Sequence, residues 1–149
     1  MIPLGVLIAT MLMLKGLGAL GVSGLSAWEV CLRGGLAAMF LLTASAHWGR
    51  RRPDLIRMVP AAFPRPDLIV SVTGVLELLG AAGLLVQATT QWAAACLAIL
   101  LVAMFPANVR AARQRLSIGG RPAMALIPRT LVQVVFVAAL GAVAVGGIV

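Results

Sequence analysis

The sequence predicts an all-α transmembrane helical bundle, a four-helix core joined by one additional N-terminal transmembrane helix. Three observations predict it. First, 62% of the 149 residues are hydrophobic and 11% are charged, more apolar surface than a soluble domain of one core can hide, so lipid must be part of its solvent. Second, the apolar residues gather into five runs of ~20 residues, the length that crosses a bilayer. Third, ten of the twelve basic residues lie in two short stretches, 50–65 and 110–129. Basic residues collected in alternate connections are the mark of loops that stay in the cytoplasm. The length suits one domain, read here as a single integral membrane domain over 1–149.

The runs are 2–22, 28–48, 67–87, 92–109 and 129–148. The first reads as a retained helix and not as a secretory signal: it lacks a basic leading segment, Lys15 interrupts it, and Leu25-Ser26-Ala27 is a poor cleavage site. Its Gly16-Leu17-Gly18-Ala19-Leu20-Gly21 matches G-x-G-x-x-G. No strand precedes it and no acidic residue follows at the right spacing, so glycine-rich helix packing explains it better than dinucleotide binding. The second run opens with Glu29 and Arg33, spaced as an i,i+4 pair. The third and fifth carry small residues, Gly80 with Gly83 and Ala138, Ala142 with Gly146, suited to close helix approach in lipid. The fourth contains Pro106, which removes a backbone donor, displaces the carbonyl of Val102 and predicts a kink.

The connections 23–27 and 88–91 carry no basic residue. That bias sets the N-terminus in the cytoplasm and the C-terminus outside, with Trp28 and Trp92 at the outer interface and Trp48 at the inner one. Arg52-Pro53-Asp54-Leu55-Ile56 recurs as Arg65-Pro66-Asp67-Leu68-Ile69. Proline in a first turn and aspartate near a helix N-terminus make each copy a helix start. The second copy opens a span; the first opens a short segment through Phe63, expected on the inner membrane surface. The abundance of Arg, Ala and Gly points to a GC-rich bacterial genome, hence to a bacterial inner (plasma) membrane.

A net charge of +8 raises nucleic acid as a partner. The basic residues flank apolar spans and do not line a face with interleaved aromatics, so topology and anionic lipid headgroups account for them, and no nucleic-acid binding is expected. Cys31 and Cys96 have neither CxxC nor metal-site spacing; they would pair if their helices touch, but small apolar filler is the default. No Ser-His-Asp set, metal cluster, P-loop or haem motif is present to carry a soluble enzyme's mechanism, and no metal is expected.

Polar residues in lipid carry the functional interest. Glu77 lies about 15 Å along its helix from Asp67, near the middle of a hydrocarbon layer about 30 Å thick. An ionisable group there must face the bundle and find partners, either as a functional site or as a protonated carboxyl with one structural bond. Lys15 either reaches down to it or extends to the interface. His47 with Thr43 one turn deeper, Thr73 one turn before Glu77, Asn108 and Gln133 place a polar group on each of the last four helices, in the cytoplasmic half. If those faces converge, they form an inward-open cavity with Glu77 at its floor. The candidate polar site is therefore His47, Thr73, Glu77, Asn108, Gln133 and Lys15.

Residues 35–48 (GLAAMFLLTASAHW), Arg57-Met-Val-Pro60, residues 73–85 (TGVLELLGAAGLL) and Met104-Phe-Pro-Ala-Asn108 together resemble the DoxX-like family of small integral membrane proteins, over Trp28 to the C-terminus. The resemblance implies a four-helix unit, places His47, Glu77 and Asn108 at the family's recurrent polar positions, and implies association with redox complexes, quinone as the cofactor, or maturation of other membrane proteins. The expected function is thus a membrane subunit of a redox-linked complex, with membrane or membrane-associated protein partners. The alternatives are a scaffold or assembly factor without enzymatic activity, and a small solute or proton transporter, for which so few helices call for a homo-oligomer.

Overall fold

A computed structural model of the chain describes residues 2–146. The order of elements is α1 (Ile2–Ala19), α2 (Trp28–Ser45), α3 (Arg52–Met58), α4 (Pro66–Leu85), α5 (Thr90–Ala103), α6 (Phe105–Arg113), β1 (Ser117–Ile118), β2 (Arg121–Pro122) and α7 (Leu126–Gly146). The fold is all-α apart from one two-residue ladder. Four helices are long and apolar enough to cross a membrane: α1, α4, the α5–α6 pair and α7. The fifth expected span, 28–48, is α2, which is not among them; it carries Glu29 and Arg33 and is the most enclosed helix. The last two residues of the run 129–148 lie outside the described residues.

Successive long helices run antiparallel, as their closest approaches show. Gly34 and Gly35 of α2 lie against Leu14 and Leu7 of α1, Gly74 of α4 against His47 beyond the end of α2, and Gly80 and Gly83 against Leu97 and Ala93 of α5. The core is formed by Leu36, Met39 and Phe40 of α2, Ala81 and Leu84 of α4, Leu97 of α5, and Phe136 and Leu140 of α7. From α1 one residue, Leu7, is buried, so α1 is a flank on a four-helix core. Leu79, Ile99, Leu131 and Val145 are each more than 60% exposed. Such side chains around the whole periphery are explained by hydrocarbon as the surrounding medium.

Glycine ends α1 as well as packing it. Val22 N–H donates to Leu17 O and Gly21 N–H to Gly18 O, with Gly21 at φ +96°, a Schellman ending that needs a left-handed residue at that place. A Cβ on Gly18 would meet the Leu25 carbonyl. The G-x-G-x-x-G match is therefore helix termination and close approach.

The kink expected from Pro106 is present as a break at Met104, between α5 and α6, one turn nearer the bundle centre than Asn108. Two expectations are corrected. Arg33 does not pair with Glu29: its Nη1 donates to Thr90 Oγ1 of α5 at 3.3 Å, since a side chain in a tightly enclosed helix finds a cross-helix acceptor. Ala138 and Ala142 are exposed; α7 turns the larger Phe136, Leu140 and Val143 to the core. Cys31 and Cys96 are both free, the default expected; Cys31 is buried and its thiol donates to Leu25 O, whereas Cys96 is exposed and fills no core.

Both copies of the repeated segment begin helices, α3 and α4. The first does more. Arg52 donates to His47 O at 2.8 Å, to Ser71 Oγ at 2.9 Å and to Asp67 O at 3.2 Å, binding the end of α2 to the first turn of α4. Asp54 accepts the Gly119 N–H at 2.7 Å and pairs with Arg57. Gly119 and Gly120, at φ +59° and +76°, make the tight turn between β1 and β2, a two-residue loop that favours Gly-Gly. One carboxylate thus clasps this hairpin to α3. The Gly119 amide, then the Arg57 side chain, hold the Asp54 carboxyl below its ordinary range. The clasp is fully present above the ordinary carboxylate pKa and is lost as pH falls through the depressed value. The protection of the Gly119 amide from hydrogen exchange, taken relative to an unprotected amide at the same pH, should be high at neutral pH and fall on acidification through that range; Asp54→Asn should show the lowered protection already at neutral pH.

Candidate functional site

Hydrogen bonding sorts the intramembrane polar residues into two sets. The first is the α2–α4 seam. Gly74 allows α4 to approach so closely that a Cβ there would lie 2.7 Å from His47 Cβ and 2.9 Å from the Trp48 ring. One turn further, Glu77 is 3% exposed and its Oε2 accepts the Thr43 hydroxyl at 2.6 Å. His47, 4% exposed, donates from Nδ1 to the Thr43 carbonyl at 3.2 Å. Glu77, Thr43 and His47 therefore form one string leading from the middle of α4 to the turn that follows α2. That string exists because two helices carry small residues on the facing surface, which lets a short threonine reach a carboxyl.

The second set lies where the chain breaks. Pro106 cannot continue the hydrogen-bond ladder, and α5 stops at Ala103. The Leu101 carbonyl left near the break accepts from Gln133 Nε2 of α7 at 2.9 Å. Gln133 Oε1 in turn accepts from Asn108 Nδ2 at 2.9 Å, and Asn108 Oδ1 accepts from Arg129 Nη1 at 2.7 Å. The amides of α6 and α7 thus satisfy each other and the broken backbone. Arg129 Nε is buried without a partner.

Of the six candidate residues, the structure brings His47 to Glu77 through Thr43, and Asn108 to Gln133. No hydrogen bond joins the two sets among the described residues. Thr73 turns back on its own helix, donating to Ile69 O and Val70 O. Lys15 stands apart at the opposite end of the bundle, bonded to Ser26 O and over the Trp28 ring, 4.8 Å from its centroid. Arg52 and Arg129 were missed because they read as loop arginines; the signal for Arg129 was its place in the first turn of an apolar run. Among the described residues no three His, Cys, Asp or Glu side chains gather as a metal site.

Two surface grooves of about 400 Å³ flank the break. The lateral one is lined by Val102, Phe105, Thr130, Gln133, Val134, Val137 and Ala138. The other, on the side of the arginine-rich connections, is bordered by Pro60, Pro106, Val109, Arg110 and Arg113. Neither is lined by Glu77 or His47. The lateral groove can take an apolar chain with a polar head at Gln133 and Thr130.

A family model for a domain of unknown function, DUF8561, matches residues 36–144. The chain belongs to the DUF8561 family. The DUF8561 region runs from the middle of α2 into α7, and so contains both polar sets and the break at Met104, while α1 and Lys15 lie before it. No curated protein and no solved structure matches the chain at a significant level.

Replacing Gly74 by alanine should lower stability by about 1–3 kcal/mol, the usual cost of overpacking, because the groups in the way are the root of His47 and the Trp48 ring. Gly141→Ala, where nothing lies within 4 Å, should be close to neutral. Equilibrium unfolding in mild detergent measures both.

Proposed function

We propose that the chain is a membrane subunit of a redox-linked complex, the role implied by its resemblance to DoxX-like proteins, and that the lateral groove beside the α5–α6 break receives a quinone. One observation carries the reading: an apolar groove beside the break also has Thr130 and Gln133 in its wall, and the adjoining Arg129, bonded through Nη1 to Asn108, keeps its Nε–H without an acceptor. Val102, Phe105, Val134, Val137 and Ala138 suit an isoprenoid tail. Thr130 and Gln133 stand at the groove, next to Arg129, whose Nε–H is buried and unpaired. A buried donor without an acceptor is costly, and a quinone carbonyl is an acceptor that brings no charge into lipid. The arginine distribution supports an N-terminus in the cytoplasm, and the abundance of Arg, Ala and Gly supports a bacterial inner membrane.

A second reading, a scaffold or assembly factor, is favoured by the enclosure of Glu77 and His47, whose polar contacts are internal and which line neither groove. The two readings part under experiment. Protein extracted in mild detergent from quinone-containing membranes should retain quinone. Ala138→Phe, which fills the groove from an exposed position, and Gln133→Ala should each reduce retention about tenfold, the effect of one lost polar contact or more. Glu77→Gln should leave retention unchanged. Protein that takes up no quinone at any added concentration, yet holds a stoichiometric protein partner, establishes the scaffold reading in its place.

A further inference from the structure

The second groove has a different chemistry. It lies between the segment that follows α3 and the whole length of α6, with Pro60, Ala61, Pro106 and Val109 as apolar walls and Arg110, Arg113 and Gln114 along one side. Arg110 is fixed in place: its Nη1 donates to Val59 O at 2.6 Å and its Nε to Gln114 Oε1 at 3.2 Å. Arg113 is exposed, and no hydrogen bond or ion pair holds its side chain among the described residues. No carboxylate lines the groove. Of the four acidic residues in the chain, Asp54 is engaged by Arg57 and Gly119, Glu77 is buried against Thr43, and Glu29 opens α2 at the other end. That leaves Asp67, in the first turn of α4, as the one carboxylate on this side for the nine arginines other than Arg57. The compensating anion must come from outside the chain.

We infer that this groove is a binding site for an anionic phospholipid, its phosphate between Arg110 and Arg113 and an acyl chain along Pro60, Pro106 and Val109. Charge complementarity selects the headgroup, because clustered arginines at the cytoplasmic ends of spans attract anionic lipid. The apolar walls select a lipid over a free phosphate, which has no use for them. The position selects it again: α6 continues α5 out of the bundle, so the groove sits where a span meets the headgroup layer. A guanidinium already fixed by a backbone carbonyl loses little freedom on meeting a phosphate, which it can contact through two parallel N–H donors.

The test is native mass spectrometry of the intact chain after exchange into mixed micelles of phosphatidylglycerol and phosphatidylcholine. The expected result is retention of phosphatidylglycerol over phosphatidylcholine, reduced roughly fivefold by Arg113→Gln. Arg113 makes no contact that the fold uses, so this variant tests the site without disturbing it; Arg110→Gln should lower retention at least as far. Arg115→Gln, on the same side but outside the groove, should leave retention unchanged, and millimolar inorganic phosphate should not displace the lipid. Equal retention of the two lipids, or equal loss in the Arg113 and Arg115 variants, overturns the site and leaves a diffuse surface charge. Displacement by phosphate alone overturns the lipid as occupant, as does capture of an acidic protein in its place.

Discussion

The contact between α2 and α4 is the constraint on which the rest of the molecule is arranged. Gly74 removes the side chain that would separate the helices, and the Thr43 hydroxyl then reaches the Glu77 carboxyl. In lipid a hydrogen bond of this kind contributes about 1–2 kcal/mol at most, so its stabilisation is modest. Its orienting effect is larger. A carboxyl at that depth has one acceptable direction, and satisfying it fixes the rotation of α4. With α4 fixed, Gly80 and Gly83 face α5, Ala81 and Leu84 face the core, and Leu79 and Val75 face outward.

The break at Met104 plays the corresponding part on the other side of the bundle. A proline in a span leaves backbone acceptors without donors, and in hydrocarbon they must be supplied from a neighbouring helix. Gln133 does so for Leu101, and Asn108 and Arg129 complete the set. The consequence is local geometry: the bend opens the lateral groove on one face and the arginine-bordered groove on the other. Both candidate ligand sites thus derive from one residue that cannot donate a hydrogen bond.

Hydropathy made the long helices and the loops legible, since these depend on composition over many residues; the count of spans was less so, because Glu29 and Arg33 leave α2 outside the four helices apolar enough to cross a membrane. The helix starts at Pro53 and Pro66 were legible for a local reason, the fixed φ of proline. The positions of Glu77, His47, Asn108 and Gln133 along their helices could be read from spacing, but their partners could not. Position follows from a rise of about 1.5 Å per residue, whereas partnership depends on helix rotation, which small residues set from a distance. Gly74 was indistinguishable in the sequence from Gly141, though one is a point of closest approach and the other meets nothing. Arg52 looked like any loop arginine; its bonds to His47 O and Ser71 required the turn after α2 to fold back.

The shallow seating of α1 has a wider meaning. It rests on α2 at Gly34 and Gly35, buries Leu7 alone, and lies before the region that the family shares. The face it covers is a ready-made berth: two adjacent glycines, flat to the backbone, on a helix already held rigid by its other neighbours. A homologue without an equivalent of α1 would carry that berth vacant, open to a membrane helix from a different polypeptide. Intramolecular in this chain, the same joint would there be a subunit boundary.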